Sequence, residues 1–165
     1  MPDATELRLI TFRVGPETFV LDIMAVRQIV PYSGSTSVPN APSFIEGIIV
    51  LRQDVIPIVD LMERLYPAIE TRAELPLVLI TDTSAGIIGF KVDEVRRIVT
   101  VSTDAFLPPP AIVRGIRGEL LVGVIPSGDE VLLLIDVESI LTVDEQQALL
   151  NADLRKPEEV PAPQR

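Results

Sequence analysis

The sequence predicts a mainly β fold of two small five-stranded barrels, followed by one C-terminal helix. Val and Ile together account for 38 of the 165 residues, whereas aromatic residues number only 7, and β-branched side chains favour strands. The 15 Pro and 9 Gly residues divide the chain into short segments joined by turns. An internal repeat, described below, arranges these segments into two units of similar order.

The first unit is expected over residues 7–69. It starts with two strands around a Gly15-Pro16 turn, and it contains a hairpin in which Arg52-Gln53-Asp54 separates two apolar runs. Asp60 is placed to cap a short helix. The predicted strands and helices of this unit are 7–14, 18–21, a helical turn and strand within 23–30, 48–51, 55–59 and a helix at 61–66.

The second unit is expected over residues 74–141, after a charged linker at 70–74. It begins with an apolar strand at 77–80, which has the composition of a buried strand. It closes with two strands, 119–125 and 131–135, that flank a Pro- and Gly-containing turn.

The chain then continues beyond the two units. Thr142 and Glu145 have the spacing of a capping box, which predicts a helix within residues 142–154. The segment 155–165 is rich in Pro and Glu. It cannot bury a core and is expected to form a disordered tail.

The two units are related by an internal repeat. The pentapeptide Val26-Arg27-Gln28-Ile29-Val30 recurs 69 residues later as Val95-Arg96-Arg97-Ile98-Val99. Gly47-Ile48 matches Gly115-Ile116 at an offset of 68, and the segment after Asp60 matches the segment after Asp136 at an offset of 76. The growing offset predicts an insertion of about eight residues near 123–129. Each unit is small, so we expect the two to be buried against each other.

Composition excludes several classes of function. Because the chain has no Cys and no His, it has no disulfide, no thiol nucleophile and no histidine base or ligand. A net charge of −10 argues against a nucleic-acid surface, which needs a basic stripe. Three Pro and one Gly interrupt the longest uncharged stretch, Gln28 to Ile45, so no direct membrane insertion is expected. We expect a cytoplasmic protein that has no secretory signal, needs no cofactor and turns some apolar side chains toward partners.

One segment raises the possibility of an enzyme. Asp82-Thr83-Ser84-Ala85-Gly86 is similar to the Asp-Thr-Ser/Thr-Gly loop of aspartic proteases. Such an enzyme needs two carboxylates that share a proton, so Asp82 would have to act in a dimer. An ordinary hairpin turn that starts at an aspartate explains the same residues.

Other charged residues are spread along the chain. The aspartates do not have the spacing of a calcium loop, so no metal site is expected; they are Asp54, Asp60, Asp93, Asp129 and Asp136. Asp60 and Asp136 are instead expected to cap the strand-to-helix junction of each repeat. One basic cluster fits either a solvated barrel rim or a site for an acidic partner; it consists of Arg96, Arg97, Arg114 and Arg117.

Several motifs resemble the CheW family, the adaptor proteins of bacterial chemotaxis arrays. They are Val38-Pro39-Asn40-Ala41-Pro42-Ser43-Phe44-Ile45-Glu46-Gly47, then Leu51-Arg52, Ile56-Pro57-Ile58-Val59-Asp60-Leu61, Gly89-Phe90-Lys91-Val92-Asp93-Glu94-Val95 and Leu134-Ile135-Asp136-Val137. The resemblance covers roughly residues 7–152, with the motifs in order. It implies two SH3-like five-stranded β-barrel subdomains, in agreement with the repeat.

The resemblance also implies partners and a site. Family members bridge the cytoplasmic tips of chemoreceptors to the regulatory domain of the histidine kinase CheA, as scaffolds in membrane-associated arrays, and bind receptors near the groove between the barrels. By motif position, receptor contacts fall on Val26, Gln28, Gly47 and Arg52. Gln28 replaces the usual Glu and loses a charge. Gln53 replaces the usual Gly, at a cost of about 1 kcal/mol if the turn needs positive φ there.

The sequence therefore favours a non-catalytic adaptor for signal transduction. Its kinase-facing surface is expected to be an apolar barrel face, whose residues the sequence does not identify. Two alternatives remain, a hydrolase that uses Asp82 in a dimer and a binding module that acts without a kinase.

Overall fold

Ten strands, two α-helices and two short 3₁₀ helices make up the described part of the chain. The computed structural model describes residues 5–109 and 120–151. The elements are β1 (Glu6–Val14), β2 (Glu17–Asp22), a 3₁₀ helix (Ile23–Ala25), β3 (Val26–Pro31), β4 (Ile45–Leu51), β5 (Asp54–Asp60), α1 (Leu61–Leu65), β6 (Leu77–Thr83), β7 (Gly86–Val92), β8 (Glu94–Ser102), a second 3₁₀ helix (Thr103–Ala105), β9 (Leu121–Ser127), β10 (Glu130–Ile135) and α2 (Val143–Asn151).

The strands form two five-stranded sheets, and each sheet closes on itself. Sheet A has the order β8-β1-β2-β10-β9, and sheet B has the order β3-β6-β7-β5-β4. The segment after β3 pairs with β4 through Thr36 and Ile48, and the segment after β8 pairs with β9 through Leu107 and Val124. These bridges join the two edges of each sheet. The predicted mainly β fold with two five-stranded units and a C-terminal helix is confirmed.

The two sheets do not coincide with the two predicted units. Sheet A combines β1 and β2 with β8, β9 and β10, whereas sheet B combines β3, β4 and β5 with β6 and β7. Replacing each strand by its repeat counterpart converts one sheet order into the other, so the repeats exchange strands symmetrically. The ranges 7–69 and 74–141 describe the sequence repeats rather than the sheets. Local periodicity identifies strands, but it does not tell which edges will pair.

Three apolar clusters hold the sheets together. Leu9 and its neighbours fill sheet A, and Ile58 and its neighbours fill sheet B. A larger cluster draws on both sheets and α1, and it includes the fully buried Phe12, Phe19 and Phe90. Each such side chain stabilises the fold by about 1.5–3 kcal/mol. This shared cluster joins the two barrels, as the small size of each repeat requires.

The structure corrects the place of the insertion between the repeats. Strand pairing relates Val26 to Val95 at an offset of 69, whereas the β4–β5 and β9–β10 hairpins correspond at an offset of 76 and have turns of equal length. The additional residues therefore precede β9 and do not lie near 123–129. The counterpart of Gly47 is Gly123; the predicted match, Gly115, lies outside the described residues. The Gly-Ile pair occurs three times in the sequence, at 47–48, 86–87 and 115–116, so one such match does not set the register.

Side-chain caps mark the ends of the two long hairpins. Oδ1 of Asp60 accepts a hydrogen bond from the Met62 amide at 3.0 Å, and Oδ1 of Asp136 accepts one from the Glu138 amide at 3.0 Å. Only Asp60 is followed by a helix, because the chain after Asp136 forms a turn. The second expected strand-to-helix junction is therefore wrong, although the cap itself is present.

The capping box and the C-terminal helix are confirmed. Oγ1 of Thr142 accepts from the Glu145 amide at 3.1 Å, and Oε1 of Glu145 accepts from the Thr142 amide at 2.9 Å. The helix is described to Asn151, and the predicted tail at 155–165 lies outside the described residues. None of the helices in the described ranges has the length and apolar character needed to cross a bilayer.

Candidate partner-binding site

Strand β3 carries the first two candidate residues at one edge of sheet B. Val26 begins the strand and packs against the shared cluster. The register shifts between Val26 and Gln28, which places Arg27 in a bulge. Nε of Arg27 lies 3.1 Å from Oδ1 of Asp82 on β6. Gln28 is exposed and aligned with Ile80. This strand therefore presents one partly buried apolar residue and one exposed amide.

Gly47 lies at the other edge of sheet B, on β4, where a side chain does not fit. A Cβ atom at Gly47 would be 2.4 Å from Oγ of Ser35 and 2.8 Å from the carbonyl oxygen of Thr36. These contacts come from the segment that closes the barrel, residues 32–36, which we call the closing loop. The glycine is thus needed for close approach of two backbones.

Arg52 occupies the tip of the β4–β5 hairpin. It is exposed, and its φ is +60°, in the left-handed region that disfavours side chains. Within the described residues its guanidinium has no salt bridge. The expected strain at Gln53 is wrong, because the positive φ in this turn lies at Arg52. In a type II′ turn only the first of the two turn residues has positive φ, so such a turn does not require positive φ at the second residue.

An open cavity of about 640 Å³ lies on sheet B beside the closing loop. Its lining consists of the last two residues of β3, the closing loop, the β4 residues between Gly47 and Arg52, and Val78. One of these β4 residues, Val50, is 63% exposed. The cavity belongs to sheet B and its closing loop, and its lining residues do not include sheet A.

The four candidate residues thus form two pairs that the closing loop connects. Val26 and Gln28 lie on β3, and Gly47 and Arg52 lie on or beside β4, at opposite ends of the sheet order. In residues 5–109 and 120–151 we find no hydrogen bond or ion pair that links the four directly. The Thr36–Ile48 bridge, with reciprocal backbone hydrogen bonds of 2.8 Å, joins the two edges.

A polar cluster beside the closing loop was not predicted from the sequence. The Tyr32 hydroxyl donates to Oε2 of Glu46 at 2.5 Å and lies 3.0 Å from Oγ of Ser35. Nζ of Lys91 lies 4.6 Å from the centre of the Tyr32 ring and 2.9 Å from Oε1 of Glu46. It also lies 3.7 Å from Oδ2 of Asp60. We call Tyr32, Glu46, Lys91 and Asp60 the tyrosine cluster.

The tyrosine cluster raises the pKa of both Tyr32 and Lys91 above their ordinary values of 10.0 and 10.5. Burial and the hydrogen bond to Glu46 raise the pKa of the Tyr32 hydroxyl. Burial by itself would lower the pKa of Lys91, but the hydrogen bond to Glu46 and the charges of Asp60 and Glu46 raise it. One sequence signal was available: Glu46 and Lys91 both lie within the family-like motifs. Glu46 and Lys91 are 45 residues apart in the sequence, so their contact in the fold could not be predicted from it.

Two of the other candidate residues, Asp82 and Arg96, have charged partners in the described part of the chain. Asp82 pairs with Arg27 at the start of a hairpin turn. Arg96 and Arg97 are exposed on β8, where Nε of Arg96 lies 3.8 Å from Oε2 of Glu94. Arg114 and Arg117 lie outside the described residues. Within the described ranges, no group of three or more acidic side chains is arranged to hold a metal ion.

Comparison with known proteins places this geometry in a family. A model of the CheW-like domain matches residues 8–145. The chemotaxis protein CheW of Treponema pallidum is 31% identical over 153 residues, which cover 88% of each chain. CheW of Rhizobium meliloti is 32% identical over 140 residues, which cover 85% of this chain and 90% of the relative.

A solved structure shows the same architecture. The crystal structure of the scaffolding protein TtCheW from Thermoanaerobacter tengcongensis matches with a TM-score of 0.75 and 25% identity, covering 86% of this chain and 96% of that one. Together, the paired closed sheets and these relatives define a chemotaxis adaptor of the scaffold class. The chain belongs to the CheW-like family.

Proposed function

We propose that this protein is a non-catalytic scaffold that couples the cytoplasmic tips of chemoreceptors to a CheA-type histidine kinase. The receptor would bind along sheet B, at Val26, Gln28, Gly47 and Arg52. The kinase regulatory domain would bind a separate apolar barrel face. Simultaneous binding at two surfaces couples the conformation of one partner to the activity of the other.

The observation that carries the proposal is the surface around Arg52. An exposed guanidinium without a salt bridge in the described residues lies next to exposed Val50 and an open cavity of about 640 Å³. Arg beside apolar surface is characteristic of binding hot spots, because it combines stem contacts with bidentate hydrogen bonds. Family membership supports the choice of a receptor as the partner.

Reversal of the charge at Arg52 tests the receptor site. Arg52→Glu should lower the affinity for a chemoreceptor cytoplasmic fragment by about tenfold or more, since it removes a desolvated contact and adds repulsion toward acidic groups. Pull-down and a binding titration measure this. Arg8→Glu is the matched control, because Arg8 is also exposed but lies on β1 of sheet A. A folded Arg52→Glu protein that binds as wild type does would refute the site.

Two further measurements separate the alternatives. Co-migration with a CheA regulatory domain in size-exclusion chromatography is expected for an adaptor and not for a kinase-independent module. Incubation with unfolded casein at acidic pH should leave the casein intact for both wild type and Asp82→Asn. Cleavage that Asp82→Asn abolishes would instead establish the hydrolase. The partner of Asp82 is Arg27, at 3.1 Å, rather than the second carboxylate that an aspartic dyad needs, and this favours the adaptor.

A further inference from the structure

Among the residues that the structure describes, the tyrosine cluster is found in one of the two barrels and not in the other, although both barrels close in the same way. The strand offsets relate Tyr32 to Val101, Glu46 to Val122 and Lys91 to Asp22. Of the four cluster residues only Asp60 has a matching counterpart, Asp136. Sheet A closes through Leu107 and Val124, with backbone hydrogen bonds of 2.8 Å, without a tyrosine, glutamate or lysine at the other three positions.

This difference shows that barrel closure in this fold does not require the cluster. The barrel that has the cluster is also the one that contains Gly47 and Arg52. The cluster includes a residue of the closing loop itself, Tyr32, whose hydroxyl also lies 3.0 Å from Oγ of Ser35 within the loop. Ser35 is in turn the side chain that packs against Gly47.

The cluster reaches three other strands of sheet B. Glu46 is on β4, Asp60 ends β5, and Lys91 is on β7. The side chain of Lys91 is 15% exposed. Its ammonium group is therefore stabilised mainly by the carboxylates of Glu46 and Asp60 rather than by water. The ring of Tyr32 packs under that charge, an arrangement that stabilises both groups when they are partly desolvated. The loop is thus tied to the rigid centre of the sheet.

We propose that Tyr32, Glu46 and Lys91 are positioning residues for receptor binding, which hold the closing loop against Gly47 and thereby set the spacing between β3 and β4. This inference rests on the proposed function. The two halves of the site lie at opposite edges of the sheet, so their relative position depends on this loop as well as on the three strands between them. If the loop already has its bound conformation before the partner binds, less conformational entropy is lost on binding.

Tyr32→Phe is the decisive variant, because it removes only the hydroxyl and leaves the ring beneath Lys91. Affinity for the receptor fragment should fall about three- to tenfold, because the loop loses the hydrogen bonds of this hydroxyl to Glu46 and Ser35. Amide exchange at residues 33–36 should accelerate, while the protein stays folded and still co-migrates with the kinase domain.

The chain offers a matched control in its other tyrosine. The Tyr66 hydroxyl is buried and has no hydrogen-bond partner in the described residues. Tyr66→Phe is thus the same chemical change without a lost bond, and it should leave receptor affinity and loop exchange as they are in wild type. Lys91→Met and Lys91→Arg add a second comparison: the neutral variant should weaken binding, and the charge-conserving variant should restore most of it.

The outcomes distinguish the two proposals. If Arg52→Glu loses receptor binding but folded Tyr32→Phe retains wild-type affinity, the positioning role is wrong and the receptor site stands. If Lys91→Arg binds as weakly as Lys91→Met, charge is not what positions the loop, and the role assigned to Lys91 is wrong. If wild type does not bind receptor fragments, the proposed function fails, and the positioning role fails with it.

Discussion

Gly47 and Gly123 occupy corresponding positions in the two barrels, yet their surroundings differ. A Cβ atom at Gly47 would meet Oγ of Ser35 at 2.4 Å and a backbone oxygen at 2.8 Å, whereas at Gly123 the nearest atom is the Leu107 carbonyl oxygen at 3.3 Å. A serine side chain can rotate away, but the backbone of a closing bridge cannot move without loss of its hydrogen bonds. The cost of adding a Cβ atom at each of the two glycines therefore measures how tightly each barrel closes.

We expect Gly47→Ala to lower the free energy of unfolding by about 1–3 kcal/mol, the usual cost of overpacking. Gly123→Ala should cost less than about 1 kcal/mol, because its neighbour needs to shift by only a few tenths of an ångström. Urea denaturation of the two variants measures the difference. Equal losses would show that the closing loop yields as easily as its counterpart in sheet A.

At the level of elements, helix α2 is joined to α1 by an ion pair. Nη1 of Arg64 donates to Oε2 of Glu145 at 2.9 Å, and Nη2 donates to the Ile140 carbonyl oxygen at 3.0 Å. Burial by itself would raise the pKa of Glu145. The hydrogen bonds from Arg64 and Thr142, together with the Arg64 charge, outweigh burial and hold the pKa below its ordinary value of 4.5.

The lowered pKa gives the attachment of α2 a pH dependence. A carboxylate with a depressed folded-state pKa contributes stability that is fully present above its unfolded-state pKa and is lost as pH falls through the folded-state value. Glu145→Gln should therefore cost about 1–2 kcal/mol at pH 6, and the difference from wild type should shrink as pH falls below 4.5. Denaturation series at several pH values measure it. A difference that is constant down to pH 3 would exclude this role for the ion pair.

At the level of the whole molecule, strand exchange makes each half of the chain dependent on the other. Residues 1–73 contain β1 to β5, which belong to both sheets, and neither sheet can form from them alone. We expect fragments 1–73 and 74–165 to be unfolded separately and to fold when mixed. Circular dichroism and amide NMR spectra of each fragment and of the mixture measure this. A fragment that folds alone would show that each sequence repeat can form its own barrel.

The residues of the proposed site come from motif positions and stay predictions, whereas the contacts around them could not be predicted. Two of these residues, Gly47 and Arg52, lie at a point of backbone crowding and at an exposed hairpin tip. Tyr32 gave no signal of its own, because its partners Glu46 and Lys91 lie 14 and 59 residues away along the chain. Such contacts depend on how sheet B is assembled from both halves.

The sequence by itself determined the elements of this protein: the strands from β-branched runs, the turns from Gly and Pro, the caps at Asp60 and Asp136, and the box at Thr142 and Glu145. These features are encoded within a few residues, where local geometry decides. Only the tertiary structure decided which strand edges meet, how the closing loop lies on Gly47 and which charges come together. Those choices minimise exposed edges and apolar surface over the whole chain, so no short segment contains them.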